Sequence, residues 1–299
     1  MSRMDEILAR IGTIPPLPGT VLRLIRVIND PASTVQDMVE VIRYDPAVTA
    51  EMLRLCNSAF FGLPREITSL HEAVRFLGTM KVLHLIMMVH GGAMLSRGQR
   101  GYGLEPGALW THCVGVALCS AAFARQTQQA NPNIAFTAGL LHDIGKIVLN
   151  EFVGAEFERI IQRVEETRAS FLDAEYEILG CSHDEIGARL AETWQLPETI
   201  VCCIRHHHNP GSLDPADPMV DMVYLGDVVC TMLGIGTGID GLCYRADLSV
   251  VDRHGLHEAD LERIGAQTAE ELLKVGRLFA EVFPGAREEV ISTAGVEAH

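Results

Sequence analysis

The stretch Gly139-Leu140-Leu141-His142-Asp143-Ile144-Gly145-Lys146 sets an adjacent His-Asp pair and a lysine inside an apolar run. Read as a helix, it gives Leu140, Leu141, Ile144, Ile147 and Val148 one shared apolar stripe, with His142 and Lys146 on the other side. Ala138, Gly139 and Gly145 surround that polar side, and such small residues leave room there for something other than side chains. Asp143 lies about 100° round from His142. Both reach one point only if other elements complete the site.

The helical period continues on both sides of this stretch, and no series of alternating strands with hairpin turns interrupts it. The expected fold class is all-α. Met4 to Ile11 form a short amphipathic helix stopped by the prolines at 15, 16 and 18; Val21, Leu22, Leu24, Ile25 and Ile28 form the next stripe, ending at Asn29-Asp30-Pro31. Ser33 or Thr34 caps a helix bearing Val35, Met38, Val39 and Ile42, and Asp45-Pro46 opens another. Gly98 to Gly107 reads as a link. Beyond it come helices over Leu109 to Gln128, through His142-Asp143, over Glu151 to Thr167 and Phe171 to Leu179, and over His183 to Trp194 with Ser182 as cap. Pro197 opens one reaching His206-His207-His208, and Met219 to Leu233 holds Asp227. Glu258 to Phe283 reads as a last pair of charged amphipathic helices, with a frayed tail from Pro284.

The chain has 299 residues, 48% of them hydrophobic, which is ample for a packed core. Its formal charge of -15 opposes general binding to nucleic acid or anionic lipid, both of which need clustered cations. A buried cationic cofactor would relieve part of that charge. The cysteines lack paired CxxC spacing and sit mostly in apolar helical runs, so they read as reduced, buried thiols. No signal peptide is visible, and the longest apolar runs, Val82 to Val89 and Cys113 to Ala124, fall below the roughly 18 residues of a membrane span. A cytoplasmic protein that touches neither membrane nor nucleic acid is expected.

Several motifs recur in a familiar order. They are Ile14-Pro15-Pro16-Leu17-Pro18, Tyr44-Asp45-Pro46-Ala47-Val48-Thr49, Leu53 through Gly62, and Ile67 through Gly78. Together they resemble the HDOD family over roughly Ile14 to Pro210. The resemblance implies a helical N-terminal lobe, 1–105, packed on an HD-type helical bundle, 106–245, with 246–299 as a C-terminal helical extension. It also implies regulation through protein partners.

The inward-facing ligand candidates are His112, His142, Asp143, His183, His207, His208 and Asp227. Imidazole nitrogens and carboxylate oxygens suit iron, manganese or similar first-row ions, and one carboxylate can bridge two ions about 3.5–4 Å apart. The contexts of these residues resemble the HD superfamily of metal-dependent phosphohydrolases, above all its HD-GYP branch. That resemblance implies one ion on His112, His142, Asp143 and Asp227, and a second on Asp143, His183, His207 and His208. Lys146 would sit near a bound phosphate and, with Asp143, would carry any catalysis. Many HDOD proteins have lost part of this set; here it is intact.

There are departures too. His207-His208 is followed by Asn209-Pro210-Gly211-Ser212 where the branch continues with Glu and then Gly-Tyr-Pro, and Ala108 offers no carboxylate for a third ion. The leading expectation is a signalling protein with two divalent ions; the alternative is a phosphohydrolase acting on a nucleotide or cyclic dinucleotide. A metal or redox sensor is a third. Lone histidines such as His71, His84, His90, His254 and His257 read as capped or surface residues. Gly234-Ile235-Gly236-Thr237-Gly238 follows a helix instead of a strand, which argues against a dinucleotide loop. Trp194 and Tyr224 fit core packing.

Overall fold

A computed structural model of the chain describes residues 3–30, 32–58, 61–63, 65–78, 81–82, 84–86, 95, 97–241 and 246–282. The expectations for Pro31, Ala59, Phe60, His90, Cys243 and residues 283–299 lie outside the described residues. Helices dominate, and no strand occurs among the described residues. They are α1 (Arg3–Ile11), α2 (Gly19–Asn29), α3 (Val35–Ile42), α4 (Pro46–Cys56), α5 (Leu70–Leu77), α6 (Ala108–Thr127), α7 (Pro132–Leu141), α8 (Gly145–Ala155), α9 (Phe157–Thr167), α10 (Phe171–Leu179), α11 (His183–Thr193), α12 (Glu198–His206), α13 (Pro218–Met232), α14 (Ser249–Arg253) and α15 (Glu258–Val282).

Side-chain caps start many of these helices by satisfying amide groups that the first turn leaves unpaired. Thr34 and Asp37 cap each other's backbone in a capping box, and Ser170 does the same with Asp173. Asp45 Oδ1 accepts from the Val48 amide at 3.1 Å, as the Asp-Pro pair predicts. Ser69, Asn131 and Asp217 cap α5, α7 and α13. The three proline-opened starts, Pro46, Pro132 and Pro218, occur where a missing N–H costs nothing.

Helix α6 is the centre of the packing, lying against α7, α13 and α15. Among the described residues it is long and apolar enough to cross a membrane, longer than the apolar run within it suggests, yet most of it is buried inside the protein. The N-terminal helices join this body through α1 against α8 and α11, α2 against α7, and α4 against α15. Helix α15 is one continuous helix where the periodicity suggested a pair. Glu151 to Thr167 is instead divided between α8 and α9, with Glu156 at the junction.

His254 is also not a surface residue. Its side chain is buried, its Nε2 lies 2.9 Å from Asp221 Oδ2, and Arg253 Nη1 donates to both oxygens of the same carboxylate at 2.9 and 2.7 Å. This triad clamps α14 onto α13. His84 stacks on Phe136 with ring centroids 3.6 Å apart, where burial first and Arg125 second push its pKa down to about 3. Trp194 and Tyr224 are buried as expected, and the described cysteines are free thiols, all buried except the half-buried Cys202.

Candidate metal centre

The His-Asp pair does not sit within a helix. Helix α7 ends at Leu141, a turn carries His142, Asp143 and Ile144, and α8 begins at Gly145. The glycine at the start of α8 answers a neighbour across the interface: a Cβ on Gly145 would collide with the His183 carbonyl oxygen and come within 2.7 Å of the Gly187 amide. Backbone therefore packs directly on backbone between α8 and α11. Gly139 is used the same way, since a Cβ there would lie 2.9 Å from Ala117 Cα. The glycines make room for neighbouring backbone, which is what occupies the space expected for something other than side chains.

These contacts bring every expected ligand residue to one place. His112 comes from the start of α6, His183 from the first turn of α11, His207 and His208 from the end of α12, and Asp227 from α13. Asp143 is fully buried among them, and its two oxygens face different partners. Its Oδ2 lies 3.3 Å from His142 Nε2 and 3.7 Å from His112 Nε2, whereas its Oδ1 lies 3.4 Å from His183 Nε2 and 3.7 Å from His207 Nε2. Asp227 Oδ1 is 3.1 Å from His112 Nε2, and its Oδ2 is 3.6 Å from His208 Nδ1. Two groups of ligand-type atoms result, each within 4.8 Å: His112, His142 and Asp143 in one, and Asp143, His183, His207 and His208 in the other.

The hydrogen bonds behind the rings decide what the front atoms are. His142 Nδ1 meets the Gly139 carbonyl at 2.7 Å, His207 Nδ1 the Ile204 carbonyl at 2.7 Å, and His112 Nδ1 the Ile235 carbonyl at 2.9 Å. A carbonyl only accepts, so each Nδ1 carries the proton; the neutral His142 and His207 then present a lone pair at Nε2, whereas His112 Nε2, 3.1 Å from Asp227 Oδ1, donates to that carboxylate when protonated. His183 Nδ1 is bound in the same sense to Glu175 Oε2 at 2.9 Å. His183 Nε2 meets His208 Nε2 at 2.9 Å, while the His142 and His207 lone pairs point at the Asp143 carboxylate, acceptor against acceptor. His142 Nε2, His207 Nε2 and Asp143 Oδ1 are buried without a hydrogen bond. Leaving such groups unpaired costs about 1–3 kcal/mol each, and a cation is the partner they all lack. The buried His/Asp clusters fit metal ions.

The electrostatics differ between the rings: for His112, burial is outweighed by the hydrogen bond and charge of Asp227, and its pKa is raised. Burial holds the His142 and His208 imidazoles below their usual range, which favours the neutral form a metal needs. Asp143 is held well below the carboxylate range: burial opposes ionisation, but His142 and Lys146 outweigh it. Asp227 is likewise depressed, burial being outweighed by the His112 hydrogen bond and neighbouring histidines. His183 goes the other way, to about 9, because Glu175 overcomes the effect of burial. Lys146 Nζ, also buried, lies 2.5 Å from Asp143 Oδ2.

Three features escape the sequence reading. Glu175, on a helix that reads as a surface element, is completely buried behind His183. Tyr102, in the link, is buried beside it. The glycine-rich segment after α13 lies over the site: Gly236, at φ +58°, presses on the His112 backbone, and among the described residues a cavity of about 20 Å³ is lined in part by His112, Lys146, His208, Asp227 and Gly236. Ser182 does not cap α11 as expected; its hydroxyl bonds Asp184, and Glu175 accepts the His183 amide instead.

Fold and site thus define an all-helical protein with a buried His/Asp cluster suited to metal ions. An HDOD domain model matches residues 14–210, and the chain belongs to the HDOD family. It is 31% identical over 231 residues to an uncharacterised protein of Treponema pallidum (strain Nichols), covering 75% of this chain but only 43% of that protein. Thus it spans less than half of that relative's length. A crystal structure of an HDOD domain protein of unknown function from Geobacter sulfurreducens superposes with a TM-score of 0.72 at 28% identity, covering 94% of this chain and 97% of that one. A structure from Shewanella amazonensis SB2B, named provisionally as a phosphohydrolase, gives a TM-score of 0.59 at 25% identity, covering 88% of this chain and 97% of that one.

Proposed function

We propose that the chain is a signalling protein of the HDOD type in which two divalent first-row metal ions complete the buried centre and the N-terminal helices offer a surface to a protein partner. His112, His142, Asp143 and Asp227 would hold one ion, and Asp143, His183, His207 and His208 the other, with Asp143 as the shared ligand. The carrying observation is the set of buried, unpaired acceptors converging on Asp143. When bound, the ions supply positive charge and Lewis acidity; the residues of this chain orient the imidazoles and exclude water.

A phosphohydrolase acting on a nucleotide or cyclic dinucleotide is the second reading, favoured by Lys146 at the edge of the cavity and by the name of the Shewanella neighbour. Two observations weigh against it. The cavity holds about one water molecule, far below the roughly 300 Å³ of a typical small-molecule site. Lys146 is also engaged by Asp143, so it would have to release that carboxylate to meet a phosphate.

Elemental analysis of the purified protein, combined with a hydrolysis screen against phosphomonoesters and cyclic dinucleotides, separates the readings. Two metal equivalents without hydrolysis are expected. Turnover abolished by Asp143→Ala would replace the first reading with the second, and absence of metal from protein reconstituted with manganous and ferrous ions would overturn both.

A further inference from the structure

Glu175 and Tyr102 stand behind His183 in a hydrogen-bonded arrangement that apolar core packing does not explain. Glu175 uses both carboxylate oxygens. Oε2 accepts the His183 main-chain amide at 2.7 Å and lies 2.9 Å from Nδ1, while Oε1 accepts the Tyr102 hydroxyl at 2.5 Å. Tyr102, Glu175 and His183 are all essentially inaccessible to solvent. The Tyr102 ring meets the His183 ring edge to face at 6.2 Å, and the Lys146 ammonium lies 5.8 Å from its centroid on the way to Asp143.

Tyr102 also belongs to a different part of the chain. It ends a single helical turn, Arg100–Tyr102, inside a hairpin closed by Gln99 and Leu104, on the segment that leads from the N-terminal helices into α6. The hairpin is anchored to α8: the Gly101 amide donates to Asn150 Oδ1 at 2.9 Å, and Gly101 lies so close to the Asn150 and Gly154 backbone that a Cβ would not fit. A displacement of this hairpin would therefore be transmitted to Glu175 through one hydroxyl.

We propose that Tyr102 and Glu175 are a positioning pair that holds His183 ready for a cation and ties occupancy of the His183-His207-His208 half of the centre to the interlobe hairpin. The inference rests on the two-ion reading above. The physical reason is charge assistance: a cation on Nε2 makes the Nδ1–H a stronger donor, and the carboxylate behind it answers with a stronger hydrogen bond. The Tyr102 hydroxyl stops that carboxylate from turning away. Carboxylate partners of this kind are worth about 10- to 100-fold in metal affinity.

The test uses manganous ion alone as probe, with the parent, Tyr102→Phe and Glu175→Gln proteins. Tyr102→Phe keeps the ring and removes one hydrogen bond, so it remains informative if Glu175→Gln fails to fold. The parent should take up two ions and give the broad spin-resonance spectrum of a coupled pair. Both variants should bind one ion as the parent does and the other about 10- to 100-fold more weakly, and at limiting metal should show the six-line signal of an isolated ion. Manganese should also slow amide hydrogen exchange across residues 97–107 in the parent and not in Tyr102→Phe. Two ions bound with parental affinity in Tyr102→Phe would overturn the inference while leaving the two-ion reading intact, and so would equal weakening of both sites. A parent that binds no manganese would overturn both.

Discussion

The N-terminal helices and the helices around Asp143 are built on different principles. In α1 to α5 the core is side-chain packing, with Ile7, Val21, Leu24, Ile25, Met38, Ile42 and Met52 essentially inaccessible, and Thr20 is the only buried polar residue among those described there. Its hydroxyl donates to Asp45 at 2.7 Å, so even that group is satisfied. Around the centre, Asp143, Lys146, Glu175 and Asp227 are buried together with the histidines, and helices approach through glycine. The contrast separates a region with one unpaired buried side-chain atom among those described, Arg10 Nε, from one in which His142 Nε2, His207 Nε2 and Asp143 Oδ1 converge without a hydrogen bond. The first stands without a ligand; the second calls for one.

The largest test of that contrast is steric. Gly145→Ala should cost more than about 4 kcal/mol or abolish soluble expression, because the new methyl meets fixed backbone at His183. Gly19→Ala, where nothing lies within 4 Å, should be neutral or stabilise by about 0.4–1 kcal/mol. Urea unfolding of the pair makes the comparison, and equal effects would erase the distinction between the regions.

Asp143→Ala should empty both halves of the centre, since it removes the carboxylate facing each group. For every ion present at about 100 times its dissociation constant, roughly 2.7 kcal/mol of stabilisation is lost, and added metal should not restore the melting temperature. His183→Ala should empty chiefly one half. Metal content and thermal melting of both variants beside the parent decide it, and equal metal retention in all three would sink the two-ion reading.

Leu24→Ala should cost about 2–5 kcal/mol by leaving a cavity in the N-terminal core, and by the same amount with metal present or chelated. A cost that changes with metal would mean that the two regions are energetically fused. Thr34→Ala, which removes a capping box at the surface, should cost only about 1 kcal/mol, read from the same unfolding curves.

The all-helical class and many helix starts were legible because periodicity and cap chemistry are local. The expected ligands could be collected from the sequence because family order preserves them, and the structure brings His112, His142, Asp143, His183, His207, His208 and Asp227 together. What was not legible depends on partners distant in the chain. The approach of Gly145 to the His183 backbone joins segments far apart in the chain, which periodicity cannot express. Glu175 did leave a trace, as a carboxylate in the stripe of Phe171, Ala174, Ile178 and Leu179, a buried position for which burial demands a partner. Tyr102, between two glycines in a link, left none. His254 looked like a surface residue because its buried partner, Asp221, lies on another helix.

The segment over the centre bears on time rather than equilibrium. The Ile235 carbonyl holds His112 Nδ1, and Gly236 lies so close to the Ala108 carbonyl and the His112 amide that no side chain would fit. From this side, a solute larger than water reaches the ligand atoms when this stretch lifts and releases the imidazole. Exchange of an ion with solution would be governed by the opening rate of residues 234–238, so stripping by a strong and a weak chelator would proceed at the same speed, and a tightly held ion and a slowly released one would be separate properties of the same protein.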